Sequence, residues 1–251
     1  MKKLIFFIGI TLFFMQCDQK PKSTESQEAI TSEESTKDDG WQTLFDGTTK
    51  NGWHIYNNKS EGTAWEIEDG ALHLNPEEIM VTPVPGAGDL TQAVGGGDLA
   101  TDDEYDNFHL KLEWKVGNPS NSGIMMFVQE VPEHDYPWQT GPEIQLMHQR
   151  ECDEEKNCVG DLYSLVAGPR DLVINEGWNA LEVISVDSTL EVIMNGRQLY
   201  KTKVWDDAWR ANIASTKFTY WPDFGTYTKG KIVLQDHGHE VWFRAIKIKR
   251  L

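Results

Sequence analysis

Residues 107–116, NFHLKLEWKV, alternate apolar and polar side chains, with Phe108, Leu110, Leu112, Trp114 and Val116 on one side. A period of two belongs to a β-strand with one buried face and one wet face. The neighbouring stretch 123–131, GIMMFVQEV, is an almost unbroken apolar run, which suits a strand buried on both faces. Working outward, 63–68, 71–75, 142–147, 178–187, 189–195, 230–235 and 240–250 read as further strands. Asp69-Gly70 separates TAWEIE from ALHL, and Asn195-Gly196 separates LEVIM from RQLY. Such dipeptides tolerate the left-handed backbone of a tight hairpin turn. The one helical expectation is a short turn at 205–212. Many short strands, regular turns and no strand–helix alternation define an all-β, two-sheet antiparallel sandwich.

The chain has 251 residues and a formal charge of -17, with ten Trp and ten Phe available for a core. So acidic a surface repels nucleic acid and anionic lipid, so neither is an expected partner. Lys2 and Lys3 precede an apolar run, Leu4 to Met15, that is shorter than the ~20 residues of a spanning helix. Cys17 follows at once. Residues 1–17 are therefore expected to be a lipoprotein export signal ending in an acylated Cys17. On that reading the protein is anchored in the bacterial cell envelope, and it meets the membrane through its lipid only. Residues 18–40 are polar and read as a flexible tether. Residues 41–251 show no composition break and read as a single β-sandwich domain. Cys152 and Cys158 are expected to form a disulfide in an oxidising envelope. A zinc site that also uses His148 is the alternative, although the spacing is not that of a zinc knuckle.

Three groups of residues could carry chemistry. If Gly141–His148, GPEIQLMH, is a strand, Glu143 and Gln145 project from one face. Sandwich-fold glycosidases use a carboxylate pair along such a strand, one to attack or activate water and one to protonate the leaving oxygen. Gln145 cannot serve as the second carboxylate, so a conventional pair on this strand is excluded. The segment 235–239, QDHGH, links the last two strands. It can present His237 as a base near neutral pH, or hold a divalent metal between His237 and His239. The aromatic set Trp138, Tyr163, Tyr220 and Trp221 suits stacking on sugar rings. Gly95-Gly96-Gly97 and Asn121-Ser122-Gly123 are both expected to be turns. Neither a Gly-x-Ser-x-Gly elbow nor a His-Glu-x-x-His helix occurs in the sequence.

Four segments together resemble a known family: WQTLFDGTTKNGW (41–53), GGDLATDDEYDNFHLKLEWKVGNPSNSGIMM (96–126), GPEIQ (141–145) and GKIVLQDHGHEVWFRAIKIKRL (230–251). They look like the 3-keto-disaccharide hydrolase domain family, over essentially all of 41–251. The resemblance implies a concanavalin-like jelly roll and cleavage of a glycoside whose 3-hydroxyl has already been oxidised to a ketone. A C3 ketone acidifies the C2 proton, so one base suffices and no carboxylate pair is required. On this basis Glu143 or His237 is the expected base, and Gln145 or Gln235 the donor to the enolate oxygen. His148, Trp138, Tyr163 and Tyr220 are the expected sugar contacts, and the partner is a 3-keto-sugar. A non-catalytic carbohydrate-binding module and a conventional glycoside hydrolase are the alternatives.

Overall fold

A computed structural model describes residues 39–58, 60, 62–83, 91–148 and 156–251. The export signal with Cys17, most of the tether, and Cys152 lie outside the described residues. The larger sheet runs in the order β13 (Arg197–Lys203), β12 (Thr189–Met194), β11 (Asn179–Val186), β8 (Phe108–Val116), β15 (Val241–Arg250), β4 (Ala71–Leu74) and β3 (Trp65–Glu68). A short β1 (Gln42–Thr43) also pairs with β15. The smaller sheet runs β10 (Glu143–Met147), β9 (Asn121–Val128), β14 (Lys231–Leu234), β7 (Leu99–Thr101) and β2 (Trp53–Ile55). A separate hairpin joins β5 (Met80–Pro83) to β6 (Thr91–Val94). The chain passes repeatedly between two antiparallel sheets, giving a jelly-roll sandwich.

The alternation of β8 does what its pattern requires. Phe108, Leu110, Leu112 and Trp114 are buried, and Val116 is half-buried at the strand end. They pack with Leu181 and Val183 of β11 and with Phe243 and Ile248 of β15. Ile124, Met126, Ile144, Leu146, Ile232 and Leu234 of the smaller sheet close the same core from the other side. In β15 a bulge between Arg244 and Lys247, with Ala245 at φ 52°, resets the alternation. Val241 and Phe243 before it, and Ile246 and Ile248 after it, therefore all face inward.

The hairpins follow turn chemistry. Asp69 and Gly70 have φ of 48° and 77°, and Asn195 and Gly196 have 50° and 76°. Two successive positive values match the twist of the flanking strands. Asp187-Ser188 makes a third such turn without a glycine. The helical turn expected at 205–212 is α1 (Asp207–Ala214), capped by Asp206, whose side chain accepts the Trp209 N–H at 2.8 Å.

The sequence reading is corrected at Asn121-Ser122-Gly123, which is strand and not turn. These residues pair with Met147, Leu146 and Gln145 of β10. The Ser122 hydroxyl also donates to the Gln235 carbonyl at 2.8 Å, tying β9 to the first residue of the QDHGH segment. Asn121 stands in this strand because one face of the smaller sheet is turned away from the core, whereas Ser122, opposite the core-facing Leu146, satisfies its hydroxyl on the Gln235 carbonyl. The strands β1, β2, β5, β6 and β7 lie outside the segments that the sequence marks as strand.

Trp114 is fully buried at the centre of the larger sheet. Trp114→Ala should lower the unfolding free energy by about 3–5 kcal/mol in a denaturant titration. A loss below about 1 kcal/mol would show that this position is not part of the core.

Candidate active site

The pairing of β10 with β9 sets Glu143 opposite Met125, Ile144 opposite Ile124 and Gln145 opposite Gly123. Because Ile144 and Leu146 enter the core, Glu143 and Gln145 point from the opposite face of the sheet. Across that outer face Met125, Val233 and Ala100 form a small apolar patch with Tyr56, Val128 and Trp138. Beside it lies a polar row, in which Gln145 faces Gly123 and the Gln235 N–H donates to the Gly123 carbonyl at 2.9 Å. The two surfaces meet in a cavity of about 210 Å³. Asn121, Glu143, Gln145, Gln235 and His237 line its polar side, and Trp138, Tyr163, Phe218 and Trp221 line its aromatic side, with Lys217 at the edge. Drug-sized sites run to ~300–1,000 Å³, so this space suits a single sugar ring.

Glu143 lies on the floor of the cavity, 8% exposed. Burial is the main reason its carboxyl is pushed up to about 8, and the charge of Asp98 adds to the effect. The charge of Lys217 and a hydrogen bond from the Gln235 side chain pull the other way. Gly123 makes room for this carboxyl: a Cβ there would come within 2.1 Å of Glu143 Oε1. Gln145 Nε2 donates to Asn121 Oδ1 at 2.7 Å and to the Ser122 carbonyl at 3.3 Å. Both of its amide protons are thereby engaged, and Asn121 is held with its own NH2 group turned elsewhere. The buried Oε1 of Gln235 has no hydrogen-bond partner among the described residues. A ligand hydroxyl would supply one.

The QDHGH turn is fixed by the triglycine segment. The Gly97 N–H donates to Asp236 Oδ2 at 2.6 Å, and the Asp236 N–H donates to Asp98 Oδ1 at 3.0 Å. A Cβ on Gly96 would meet Asp236 Oδ2 at 2.3 Å, so this close approach needs glycine. His237 and His239 project in parallel, with ring centroids 6.0 Å apart and planes 10° apart. Among the described residues no three His, Cys, Asp or Glu side chains form a group that could hold a metal ion.

Of the residues singled out in the sequence, Glu143, Gln145, Gln235, His237, Trp138, Tyr163 and Trp221 are brought to this one cavity. Trp138 and Trp221 meet edge to face at 4.7 Å and form its wall. Two expected contacts lie elsewhere. His148 faces a separate cavity of about 560 Å³ with Val116, Asn118 and Glu176, and its N–H donates to Ser120 Oγ at 2.9 Å. Three residues after Gln145, it has passed beyond the end of the strand. Tyr220 is 80% exposed and outside the cavity lining, because the 3₁₀ turn Lys217–Tyr220 sends Phe218 inward instead. Cys158 is disulfide-bonded. Sequence reading missed Asn121, hidden by its turn-like composition, and Lys217 and Phe218, which no motif marks.

A family model described as a 3-keto-alpha-glucoside-1,2-lyase-like domain matches residues 40–249. The chain is 29% identical over 238 residues to a 3-keto-disaccharide hydrolase of Bacteroides thetaiotaomicron, covering 85% of this chain and 79% of the relative. It superposes with a TM-score of 0.70 on a crystal structure of a candidate glycosyl hydrolase from Parabacteroides distasonis ATCC 8503. There the identity is 30%, with 84% of this chain and 94% of the other covered. A second candidate glycosyl hydrolase from the same organism gives a TM-score of 0.57 at 20% identity, covering 84% and 99%, and shares the fold.

The raised pKa of Glu143 has a stability signature. The native chain keeps a proton that the unfolded chain releases near 4.5, so this stabilisation is complete below 4.5 and is lost as pH rises through about 8. Glu143→Gln stays neutral throughout. It should melt with the parent at pH 4.5 and above it by roughly 3–10 °C at pH 8.5, the equivalent of 1–3 kcal/mol in a domain of this size. Calorimetric scans at the two pH values check this, and an equal offset at both would contradict it.

Proposed function

Because the chain belongs to the 3-keto-alpha-glucoside-1,2-lyase-like domain family, we propose that it cleaves glycosides whose sugar carries a ketone at C3. The observation that carries this reading is the isolation of Glu143. It is the one carboxylate among the described residues that line the cavity. Direct glycoside hydrolysis uses two carboxyl groups, ~5–9.5 Å apart. Elimination from a 3-keto sugar uses one base, because the ketone stabilises the carbanion at C2.

In this scheme the Glu143 carboxylate takes the C2 proton and the electron pair moves to O3, giving an enolate. As the C3 carbonyl re-forms, the C1–O bond breaks and leaves a double bond between C1 and C2. Addition of water to that product would make the net outcome hydrolysis. A carboxyl raised to about 8 is a stronger base than an ordinary glutamate, at the cost of being largely protonated at neutral pH. The enolate needs N–H donors already in place. Gln145 has both amide protons engaged, so Asn121 Nδ2 and the remaining N–H of Gln235 are the better candidates, with Gln145 positioning Asn121. His237, exposed on its turn, suits proton exchange with solvent more than abstraction at the cavity floor.

For the N-terminus we propose the acylated Cys17 anchor expected from its sequence. Cys17→Ser should move the protein from the membrane fraction to the soluble envelope fraction and abolish labelling by a fatty-acid probe. Retention and labelling in that variant would remove the anchor from the account.

The central experiment compares a 3-keto disaccharide with its unoxidised parent. Turnover is expected from the keto substrate alone, with kcat/KM rising toward an apparent pKa of about 8. Glu143→Gln should lower it by about 10²–10⁴-fold. Cleavage of the unoxidised sugar would refute the elimination and favour a conventional hydrolase. Binding without turnover of either would make this a carbohydrate-binding module.

A further inference from the structure

Given the elimination chemistry proposed above, we propose that Tyr163 is the acid that protonates the departing glycosidic oxygen, with Lys217 holding its hydroxyl in place. The strand register places Tyr163 beside the base. The Tyr163 N–H donates to the Glu143 carbonyl at 2.8 Å, and the Gln145 N–H donates to the Asp161 carbonyl at 3.0 Å. An antiparallel bridge joins Ile144 to Leu162 between them. Tyr163 is therefore the direct cross-strand neighbour of Glu143. Leu162 is fully buried in the core beside Ile144, so Tyr163 and Glu143 project from the same face of the sheet. Cross-strand neighbours keep their Cβ atoms about 4.5–5.5 Å apart, so the two side chains rise side by side from one face of the sheet.

The hydroxyl is oriented for donation. Lys217 Nζ lies 3.0 Å from the Tyr163 oxygen and 4.5 Å from its ring centroid. An ammonium group only donates, so it occupies a lone pair of the phenol and leaves the phenolic proton free. The same charge stabilises the phenolate that proton transfer creates. The ring is pinned edge-on against Phe218 at 6.2 Å, and Phe218 lies flat on Phe224 at 3.8 Å. Tyr163, Lys217 and Glu143 all line the one cavity. The amides on its floor have no proton to give up. His237, the other titratable side chain there, lies on the turn after β14 and not on the segment paired with Glu143.

The step balances without an outside reactant. Glu143 gains the C2 proton, the C1–O bond breaks with its electron pair on oxygen, and that oxygen takes the Tyr163 proton. Both groups are reset by proton exchange with water, or the Tyr163 phenolate activates the water that adds at C1.

The test measures dependence on the leaving group. Two 3-keto glucosides, one with an alkyl aglycone and one with a 4-nitrophenyl aglycone, are given to the parent, Tyr163→Phe, Lys217→Met, Lys217→Arg and His237→Ala. An alkoxide needs a proton to depart, whereas nitrophenolate does not. Tyr163→Phe should cut turnover of the alkyl substrate by about 10²-fold or more and that of the nitrophenyl substrate by less than about fivefold. Exchange of the C2 hydrogen with deuterated solvent should persist, since the base is intact. Lys217→Met should show the same selectivity more weakly, and Lys217→Arg should restore the alkyl substrate. Equal losses on both substrates, loss of C2 exchange, or leaving-group selectivity in His237→Ala instead would overturn the assignment. If the parent turns over neither keto substrate, the elimination reading itself falls and the assignment falls with it.

Discussion

The register of β10 is the constraint on which the rest depends. Ile144 and Leu146 enter the core between the sheets, each fully buried, and each such burial is worth about 1.5–3 kcal/mol. A shift of one residue would carry Glu143 and Gln145 into that core and expose both aliphatic side chains. The apolar pattern therefore selects the one pairing that presents Glu143 to the cavity. The same pairing continues on the other side of β10, where Leu162 enters the core and Tyr163 joins Glu143 on the outer face. Core packing and the placement of Glu143 and Tyr163 are thus one arrangement seen from two sides of a sheet.

A buried carboxyl is an expense the fold has to absorb, and the neighbourhood shows how it does so. Gln235 hydrogen-bonds to it, Lys217 offsets part of its charge, and Gly123 leaves the volume it occupies. None of these partners is strong enough to bring the carboxyl back to its ordinary range. A better-solvated glutamate would make a more stable protein and, in the proposed elimination, a weaker base, the familiar opposition between stability and function. Asp98 sharpens that opposition: its charge raises the Glu143 carboxyl, while its oxygen anchors the backbone of Asp236.

The two loops that frame this face are interdependent although they are far apart in the chain. Gly95-Gly96-Gly97 allows Asp236 to approach, and Asp236 in turn fixes the turn that carries His237. The aromatic wall has a similar double use. Trp138 packs on the apolar patch formed by Met125 and Val233 and also lines the cavity, so sheet and cavity share it.

The sandwich is legible in the chain before it folds. The period of two in β8, the hairpin dipeptides at Asp69-Gly70 and Asn195-Gly196, and the apolar run of β9 are local signals that need no tertiary partner to be read. The sequence also brought out Glu143, Gln145, Gln235 and His237, because spacing along a strand fixes the face and each motif carries its own chemistry. The remaining features depend on contacts made only in the folded chain. Asn121 reads as a turn residue until β10 pairs with it, and Lys217 is an unremarked surface lysine until its turn folds over Tyr163. His148 and Tyr220 have suitable side chains but stand where the backbone has turned away from the cavity. The bulge at Ala245 and the lift in the Glu143 pKa likewise arise from neighbours distant in the chain. The physical reason is the range of the interactions. Backbone periodicity and turn preference act over two to four residues, whereas burial, charge and hydrogen bonding at a site act across strands whose adjacency exists only after folding.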